Sequence, residues 1–227
     1  MKNLDTVWIV IAAYNEAEVI RDVVAGVRKR FRCVVVVDDC SRDQTARGAL
    51  EGGAVVLRHP MNLGQGAALQ TGINWALQRG ASAIVTFDAD GQHRVEDVDV
   101  LIDLQAQSGA DLVIGSRFLG HATDLPALRR LVLKLAARFT TYTTGVRLTD
   151  AHNGLRLFTR RAAEQIHIRQ NRMAYASEII SQAASRGISI VEAPVTIVYT
   201  EYSLRKGQKL SNAFNILAEL LVDRLSR

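Results

Sequence analysis

The amino-acid sequence predicts an α/β protein built on a doubly wound, mostly parallel β-sheet with helices on both of its faces. Short apolar runs rich in β-branched residues recur along the first half of the chain, which is typical of strands covered on both faces. Stretches with apolar residues at helical spacing separate these runs, and strands that alternate with helices favour a parallel sheet. Polar or charged residues follow nearly every run.

The first half of the chain alternates regularly between the two kinds of element. The apolar runs at 7–12 and 33–37 flank a helical pattern over 16–32, and together they form a βαβ unit. The alternation continues with strands at 54–57, 83–87 and 111–114 and with helices at about 66–79 and 95–108.

After residue 117 the pattern changes. We expect a helix around 128–139, in which one face is apolar and another is basic, and an amphipathic helix over 210–225. Between them we expect a helix over 174–186, a strand at 188–191 and an apolar segment at 195–199.

Composition limits the classes of protein to which the chain can belong. With 227 residues, 48% hydrophobic and 22% charged, and with 3 Pro and no linker-like stretch, residues 1–227 are expected to form a single domain. The formal net charge of +5 favours anionic partners, but zinc-finger, leucine-zipper and RNP-type motifs are absent, so we expect no nucleic-acid partner. The sequence contains no run of about 18 apolar residues, which is the length needed to span a bilayer. Cys33 and Cys40 form no paired framework and fit a reduced cytosolic setting.

The residues that follow the predicted strands are the candidates for a functional site. In doubly wound sheets, ligands bind beyond the carboxyl ends of the strands. Those positions are residues 14–16, 38–39, 88–90 and 116–117, and nearly all are polar or charged. Helix capping would explain one or two such positions, but not all of them.

Three of these segments suggest a particular chemistry. Asp88 and Asp90 follow a strand and offer oxygen ligands to a hard divalent cation that also holds phosphates, although such a pair alone can equally cap a helix. In the segment 38–45, one carboxylate suits the ring N–H of a nucleotide base and another suits a helix cap. The glycines of 62–66 precede a helix and would leave its N–H groups open to an anion, but they match neither the Walker nor the dinucleotide spacing.

Five motifs together resemble those of family 2 glycosyltransferases in order and spacing. They are AAYNE at 12–16, VDDCSRDQT at 37–45, NLGQG at 62–66, FDADGQH at 87–93 and IGSRF at 114–118. The branch they resemble is that of the dolichol-phosphate mannose synthases, over roughly residues 6–210. The resemblance implies a GT-A fold, with a part that binds the nucleotide-sugar at about 6–118 and a part that faces the acceptor and the membrane at about 119–227.

The resemblance also implies roles for individual residues. Asp88 and Asp90 would bind Mg²⁺ or Mn²⁺, with Asp90 as the direct ligand, and the residues implied in catalysis are Asp90, Arg117 and Asp150. The residues implied in nucleotide binding are Ala13, Tyr14, Glu16, Asp39, Gln65, Asp88 and Lys209. The family often has Lys where this chain has Gln65, and in the segment 205–209, which is similar to the branch's R-x-x-G-x-S-K element, Gln208 replaces Ser.

The acceptor side is implied by a second segment. Residues 150–156 resemble the branch's D-x-x-S-G-F-R motif, with Asn153 and Leu155 as departures. The expected contacts of the acceptor phosphate are Arg117, Arg130 and Lys134, the last two of which would otherwise be a solvated basic face. Glu178 is expected to be either a family carboxylate or a salt-bridge partner, and His93 either a neighbour of the metal or a surface histidine.

The expected function is that of an inverting glycosyltransferase. It would move a sugar from a GDP- or UDP-sugar to a polyprenyl phosphate on the cytoplasmic face of the membrane. Peripheral attachment would occur through the helix at 128–139, the amphipathic C-terminus or a small integral membrane partner. One alternative is transfer to a glycan hydroxyl in cell-envelope polysaccharide synthesis, which would require Asp150 or Glu178 as a base. Others are a non-catalytic nucleotide-sugar-binding subunit and, less well matched, a nucleotidyltransferase.

Overall fold

A computed structural model describes residues 4–122, 144–172 and 174–206, together with residues 133, 135, 137, 138 and 140–142. After a short 3₁₀ turn at Leu4–Thr6, the described strands are β1 (Val7–Ala13), β2 (Cys33–Asp38), β3 (Val55–Arg58), β4 (Ala83–Asp88), β5 (Leu112–Ala122), β6 (Arg156–Thr159) and β7 (Ile190–Ile197). The described helices with defined bounds are α1 (Ile20–Arg28), α2 (Thr45–Glu51), α3 (Gln65–Gln78), α4 (Val95–Ser108), α5 (Arg160–Gln165), α6 (Tyr175–Ser185) and α7 (Glu201–Lys206).

The strands form a single mixed sheet in the order β3-β2-β1-β4-β6-β5-β7. All described pairings are parallel except those of β6, which runs antiparallel to both β4 and β5. The prediction of a doubly wound, mostly parallel α/β sheet is therefore confirmed.

Alternation along β1 places one apolar layer on each face of the sheet. Ile9 and Ile11 are fully buried in a cluster with apolar residues of α1, α2 and α4. Trp8 and Val10 belong to a second cluster with residues of α3, α5 and α6. Successive side chains of a strand point to opposite faces, so a run that is apolar throughout must be covered on both sides. On the second face, α3 lies close to β1, since a Cβ on Gly72 would come within 2.4 Å of Val10 Cγ1.

The sheet reverses its strand order at β1, and this brings three polar loops together. β1 lies between β2 and β4, and the last pairs of the register join Ala13 to Asp38 and Ala12 to Asp88. The segments that follow β1, β2 and β4 therefore leave the same edge of the sheet beside one another. Such a switch point is where ligands bind in open α/β sheets.

The second half of the chain differs from the predicted elements in several places. β6 and the short helices α5 and α7 were not predicted. β5 extends to Ala122 because it continues beside β7 through an irregularity between Ser116 and His121. β7 joins the predicted strand at 188–191 to the apolar segment that follows it, despite Pro194. A proline is tolerated there because β7 is an edge strand among the described residues.

Part of the predicted basic helix can be compared with the structure. Within 128–139, the described residues Leu133, Leu135, Ala137 and Arg138 are helical, as expected. Arg130, Lys134, Lys209 and the predicted helix at 210–225 lie outside the described residues. No helix formed by the described residues is long and apolar enough to cross a membrane.

Candidate active site

Two carboxylates lie at the carboxyl end of β4. Asp88 is the last residue of the strand, and its Oδ2 is 2.9 Å from His93 Nε2 while Gln65 Nε2 donates to its Oδ1 at 3.4 Å. Asp90 Oδ1 accepts a hydrogen bond from the backbone N–H of Gln92 at 3.0 Å. Gln65 and His93 thus both contact Asp88, and His93 is buried, so the alternative of a surface histidine was wrong.

The two carboxylates differ in the pKa that their surroundings impose. Burial opposes ionisation of Asp88, but the nearby His93 ring and the Arg117 and Arg156 guanidiniums hold its pKa below the usual range. Burial, followed by the negative charge of Asp88, raises the pKa of Asp90 to about 6. The site therefore concentrates negative charge that a cation would neutralise.

The chemistry of this pair fits a divalent cation that is shared with a ligand. Among the described residues, no group of three or more His, Cys, Asp or Glu side chains is arranged to hold a metal ion by itself. Mg²⁺ is typically held by one or two carboxylates together with substrate phosphates and water. Asp88 and Asp90 could supply that protein share, and their mutual repulsion would then be relieved.

A tight turn lies directly against Asp88. A Cβ on Gly154 would come within 2.2 Å of Asp88 Oδ2 and 2.3 Å of Oδ1, so only a glycine fits here. Thr86 Oγ1 donates to the carbonyl of Gly154 at 2.7 Å and fixes the turn to β4. The position of the Asp88 carboxylate therefore depends on this backbone contact.

A buried arginine holds the same turn through hydrogen bonds to its backbone carbonyls. Arg156 is 1% exposed and donates to the carbonyls of Asn153, Ala151 and Ala176 at 2.9, 2.9 and 3.2 Å. Burial lowers the pKa of this guanidinium, although Tyr175 and the carboxylates nearby oppose that effect. The sequence analysis gave Arg156 no separate role, although the motif at 150–156 includes it.

The acceptor-side carboxylate is paired with the arginine of the fifth motif. Arg117 Nε donates to Asp150 Oδ2 at 2.6 Å, and the Arg117 backbone N–H donates to the same oxygen at 3.2 Å. Arg117 Nη1 also donates to the hydroxyl of Tyr199 at 3.0 Å. The side chains of Arg117 and Asp150 are 9% and 1% exposed. Burial opposes the charge of Arg117, but Asp150 outweighs it and the pKa of the guanidinium is raised.

A residue that the sequence analysis missed anchors the start of this segment. Glu192 accepts hydrogen bonds from the backbone N–H groups of Thr149 and Asp150, at 2.8 and 2.9 Å, and from the Thr149 hydroxyl at 2.9 Å. Asp150 Oδ1 is buried and has no hydrogen-bond partner among the described residues. An acidic residue inside the apolar run that forms β7 was the signal that could have identified Glu192.

Asp39 lies at the end of β2 and organises the glycine-containing loop. Its Oδ1 accepts from the backbone N–H of Leu63 at 2.9 Å, and its Oδ2 accepts from that of Gly64 at 2.7 Å. Its own backbone N–H donates to the carbonyl of Ala13 at 2.9 Å, and its side chain is buried. Ala13 and Asp39 thus meet at the switch point of the sheet.

The first motif contacts a segment from the far end of the described chain. The Glu16 carboxylate accepts from the Tyr202 hydroxyl at 2.6 Å, and burial together with Glu16 raises the pKa of Tyr202. Arg205 pairs with Glu18 at 2.7 Å. Tyr14 is 39% exposed at this edge of the sheet. The part of the 205–209 segment that is described therefore lies beside the first motif.

Three N–H groups of the segment 62–66 are occupied by the protein, so the expectation that they are open to an anion is wrong for Leu63, Gly64 and Gly66. Besides the two N–H groups that Asp39 accepts, the N–H of Gly66 donates to the carbonyl of Asn171 at 3.0 Å. A Cβ on Gly64 or Gly66 would come within 2.2 or 2.1 Å of the carbonyl oxygens of Asn171 and Gln170. The glycines are required because a second loop packs against them.

Glu178 holds that second loop in place. Its Oε2 accepts from the backbone N–H groups of Arg169 and Gln170 at 2.9 and 2.8 Å, and its Oε1 accepts from Gln182 Nε2 at 3.0 Å. Among the described residues it forms no ion pair, and its contacts there are hydrogen bonds to this loop and to Gln182.

Comparison with known proteins agrees with the motifs. Residues 8–167 match the model of the family described as "Glycosyl transferase family 2". The UDP-N-acetylglucosamine–dolichyl-phosphate N-acetylglucosaminyltransferase of Methanococcus voltae is 30% identical over 97% of each chain. The polyprenol monophosphomannose synthase of Mycolicibacterium smegmatis is 31% identical over 93% of this chain and 85% of its own.

A solved structure has the same fold. Glucosyl-3-phosphoglycerate synthase from Mycobacterium tuberculosis, in complex with Mn²⁺, uridine diphosphate and phosphoglyceric acid, superposes with a TM-score of 0.72 at 18% identity. The similarity covers 96% of this chain and 78% of that one. The GT-A fold implied by the motifs is therefore confirmed.

Proposed function

The chain belongs to glycosyl transferase family 2, and we propose that it transfers a sugar from a nucleotide-sugar to a polyprenyl phosphate at a membrane surface, with inversion at the anomeric carbon. The observation that carries this proposal is that the segments with Asp39 and with Asp88 and Asp90 leave the sheet on the two sides of β1, at its switch point. Two relatives that align over most of this chain are named for transfer to dolichyl phosphate and for synthesis of polyprenol monophosphomannose.

The donor would lie across the carboxyl edge of the sheet. Its base would meet Asp39 and Ala13, and its diphosphate would meet Mg²⁺ or Mn²⁺ held by Asp88 and Asp90. When bound, the cation would neutralise the charge that develops on the departing nucleoside diphosphate. The remaining proposed nucleotide contacts are Tyr14, Glu16, Gln65 and Lys209. A solved protein of the same fold has been crystallised with Mn²⁺ and uridine diphosphate, which supports this donor class.

The contacts that Asp150 and Glu178 already make within the protein favour a phosphate acceptor over a hydroxyl acceptor. Asp150 is buried against Arg117, and both oxygens of Glu178 accept hydrogen bonds from the protein. Neither group is therefore placed as a free general base. A phosphate oxygen is already anionic near neutral pH and needs no such base, whereas a sugar hydroxyl does.

The proposed reaction is a direct displacement at C1 of the sugar. An oxygen of the acceptor phosphate forms a bond to C1 on one face, while the bond from C1 to the nucleoside diphosphate breaks on the other. Arg117, Arg130 and Lys134 are the proposed contacts of the acceptor phosphate. Because Asp150 balances the charge of Arg117, we assign Arg117 mainly to positioning and the basic residues of 128–139 to the attraction of anionic headgroups.

The test is a panel of UDP- and GDP-sugars incubated with the purified chain, Mn²⁺ and a short polyprenyl phosphate, with mass spectrometry of the lipid fraction. The proposal predicts one lipid-phosphate sugar, its loss in Asp90→Ala and its retention in Asp99→Ala, a change at an exposed ion pair of α4. Donor hydrolysis without a lipid product would count against the acceptor. The absence of any product with every donor would favour a non-catalytic binding subunit.

A further inference from the structure

A hydrogen-bonded chain of three side chains runs behind the predicted base-binding carboxylate. His59 Nδ1 is 2.7 Å from Asp39 Oδ1, and His59 Nε2 is 3.0 Å from Thr71 Oγ1. His59 is 9% exposed, and its backbone N–H donates to the carbonyl of Asp38 at 2.9 Å. These hydrogen bonds link the segments that follow β2 and β3 to the middle of α3. The sequence analysis assigned no role to His59 or Thr71.

The partners of the ring determine the direction of each hydrogen bond. An ionised carboxylate only accepts, so Nδ1 of His59 carries the proton and donates to Asp39. In the neutral ring Nε2 is then an acceptor, and the Thr71 hydroxyl donates to it. Asp39 therefore selects the tautomer of His59, Thr71 holds the other ring nitrogen, and His59 in turn fixes the carboxylate of Asp39.

The donors around Asp39 leave one side of its carboxylate open. Oδ1 accepts from both His59 and the N–H of Leu63, whereas Oδ2 accepts only from the N–H of Gly64 among the described residues. A carboxylate offers about two acceptor positions on each oxygen, so one remains on Oδ2. Since the other three are occupied by groups of the protein, the carboxylate cannot rotate without losing them.

We propose that His59, supported by Thr71, is a positioning residue that presents Asp39 Oδ2 to a ring N–H of the donor base. Uracil and thymine carry such an N–H at N3 and guanine carries one at N1, whereas the corresponding nitrogens of cytosine and adenine are acceptors. The site therefore selects UDP-, dTDP- or GDP-sugars. It rejects CDP- and ADP-sugars, because their ring nitrogen is an acceptor that would face the buried acceptor Asp39 Oδ2. This inference rests on the proposed function and deepens it.

A matched pair of substitutions separates the two contacts of the ring. The amide nitrogen of Asn lies at the position of Nδ1, so His59→Asn keeps a donor to Asp39 and loses the contact with Thr71. The amide of Gln lies at the position of Nε2, so His59→Gln keeps a contact with Thr71 and loses the donor to Asp39. Thr71→Val removes the hydroxyl with little change in shape.

The experiment is calorimetric titration of the full chain with UDP, GDP, CDP and ADP in the presence of Mg²⁺. We expect UDP or GDP to bind about a hundredfold more tightly than CDP and ADP, which corresponds to the cost of leaving one buried acceptor unpaired. His59→Gln should lower the affinity for the preferred nucleotide about tenfold and reduce its preference over CDP or ADP, while His59→Asn should stay within about threefold of the original. Thr71→Val, which removes the same contact as His59→Asn, should lower the affinity about threefold.

Two results would overturn the inference. One is an unchanged base preference in a folded His59→Gln protein, and the other is equal losses in His59→Asn and His59→Gln, which would indicate a structural role alone. Thermal unfolding of each variant identifies those that are not folded, and Thr71→Val then provides the test.

Asp39→Asn separates this inference from the proposed function. If Asp39→Asn alters the base preference while His59→Gln does not, only the role of His59 is wrong. If none of the four nucleotides binds and no lipid product forms, the donor site itself is wrong.

Discussion

Gly154→Ala should disable the site without unfolding the protein. The added methyl would lie 2.2 and 2.3 Å from the two carboxylate oxygens of Asp88, and Cβ atoms are essentially never found within 3.0 Å of another heavy atom. The carboxylate must therefore retreat by roughly 1 Å, which is the scale of misplacement that costs about a hundredfold in rate. The turn itself cannot yield easily, because Thr86 and Arg156 hold its carbonyls at 2.7 and 2.9 Å.

The assay measures kcat/KM for lipid-phosphate sugar formation and, separately, the binding of Mn²⁺ to the protein. We expect kcat/KM to fall about a hundredfold in Gly154→Ala, with weaker Mn²⁺ binding and a melting temperature within a few degrees of the original. Gly26→Ala is the control, because a Cβ there meets nothing within 4 Å and alanine is the better helix former. A folded Gly154→Ala protein with activity within about threefold of the original would refute the assignment of Asp88 to the donor site.

Three further predictions follow from the charges around the site. The pKa of Asp90 is about 6 in the cation-free fold, whereas its ordinary value is 3.8, so between these pH values the folded state binds a proton that the unfolded state releases. The free energy of unfolding should therefore fall as the pH rises from about 4 to about 6. Denaturant titrations of Asp90→Asn should lack this dependence on pH. Asp150→Asn leaves the Arg117 charge buried and unpaired, so unfolding free energy should drop by about 3 kcal/mol; a loss below about 1 kcal/mol would contradict the pairing. Glu178→Ala removes two hydrogen bonds to the loop that covers Gly64 and Gly66, so calorimetry should show weaker nucleotide binding together with a stability loss of about 2 kcal/mol, and unchanged affinity would show that the loop does not support the site.

The parallel half of the fold could be predicted because its signals are local. The runs that become β1 and β2 are apolar throughout, and that of β4 is apolar except for Thr86; this pattern is typical of strands covered on both faces. β6 could not be predicted in the same way. It has only four residues, begins with the buried Arg156, and owes its place to antiparallel pairing with strands distant in sequence.

The candidate site was predicted in its components but not in its connections. The motifs located Asp39, Asp88 and Asp90 because polar residues at strand ends are visible in the sequence. The support from His59, Gly154 and Glu192 comes from contacts between distant segments, which no local spacing records. The glycines of 62–66 show the same limit, since their need for small size was clear while the loop that requires it was not.

The proposal that the acceptor is a phosphate can be tested by offering one donor to three acceptors. The purified chain would be incubated with the preferred nucleotide-sugar, Mn²⁺ and either a polyprenyl phosphate, the corresponding polyprenol or a soluble oligosaccharide, and the products would be identified by mass spectrometry. Since neither Asp150 nor Glu178 is placed as a free base, we predict a sugar-phosphate lipid from the first acceptor and no transfer to either hydroxyl acceptor. Transfer to the polyprenol or to the oligosaccharide at a comparable rate would contradict that prediction and require a general base in the site.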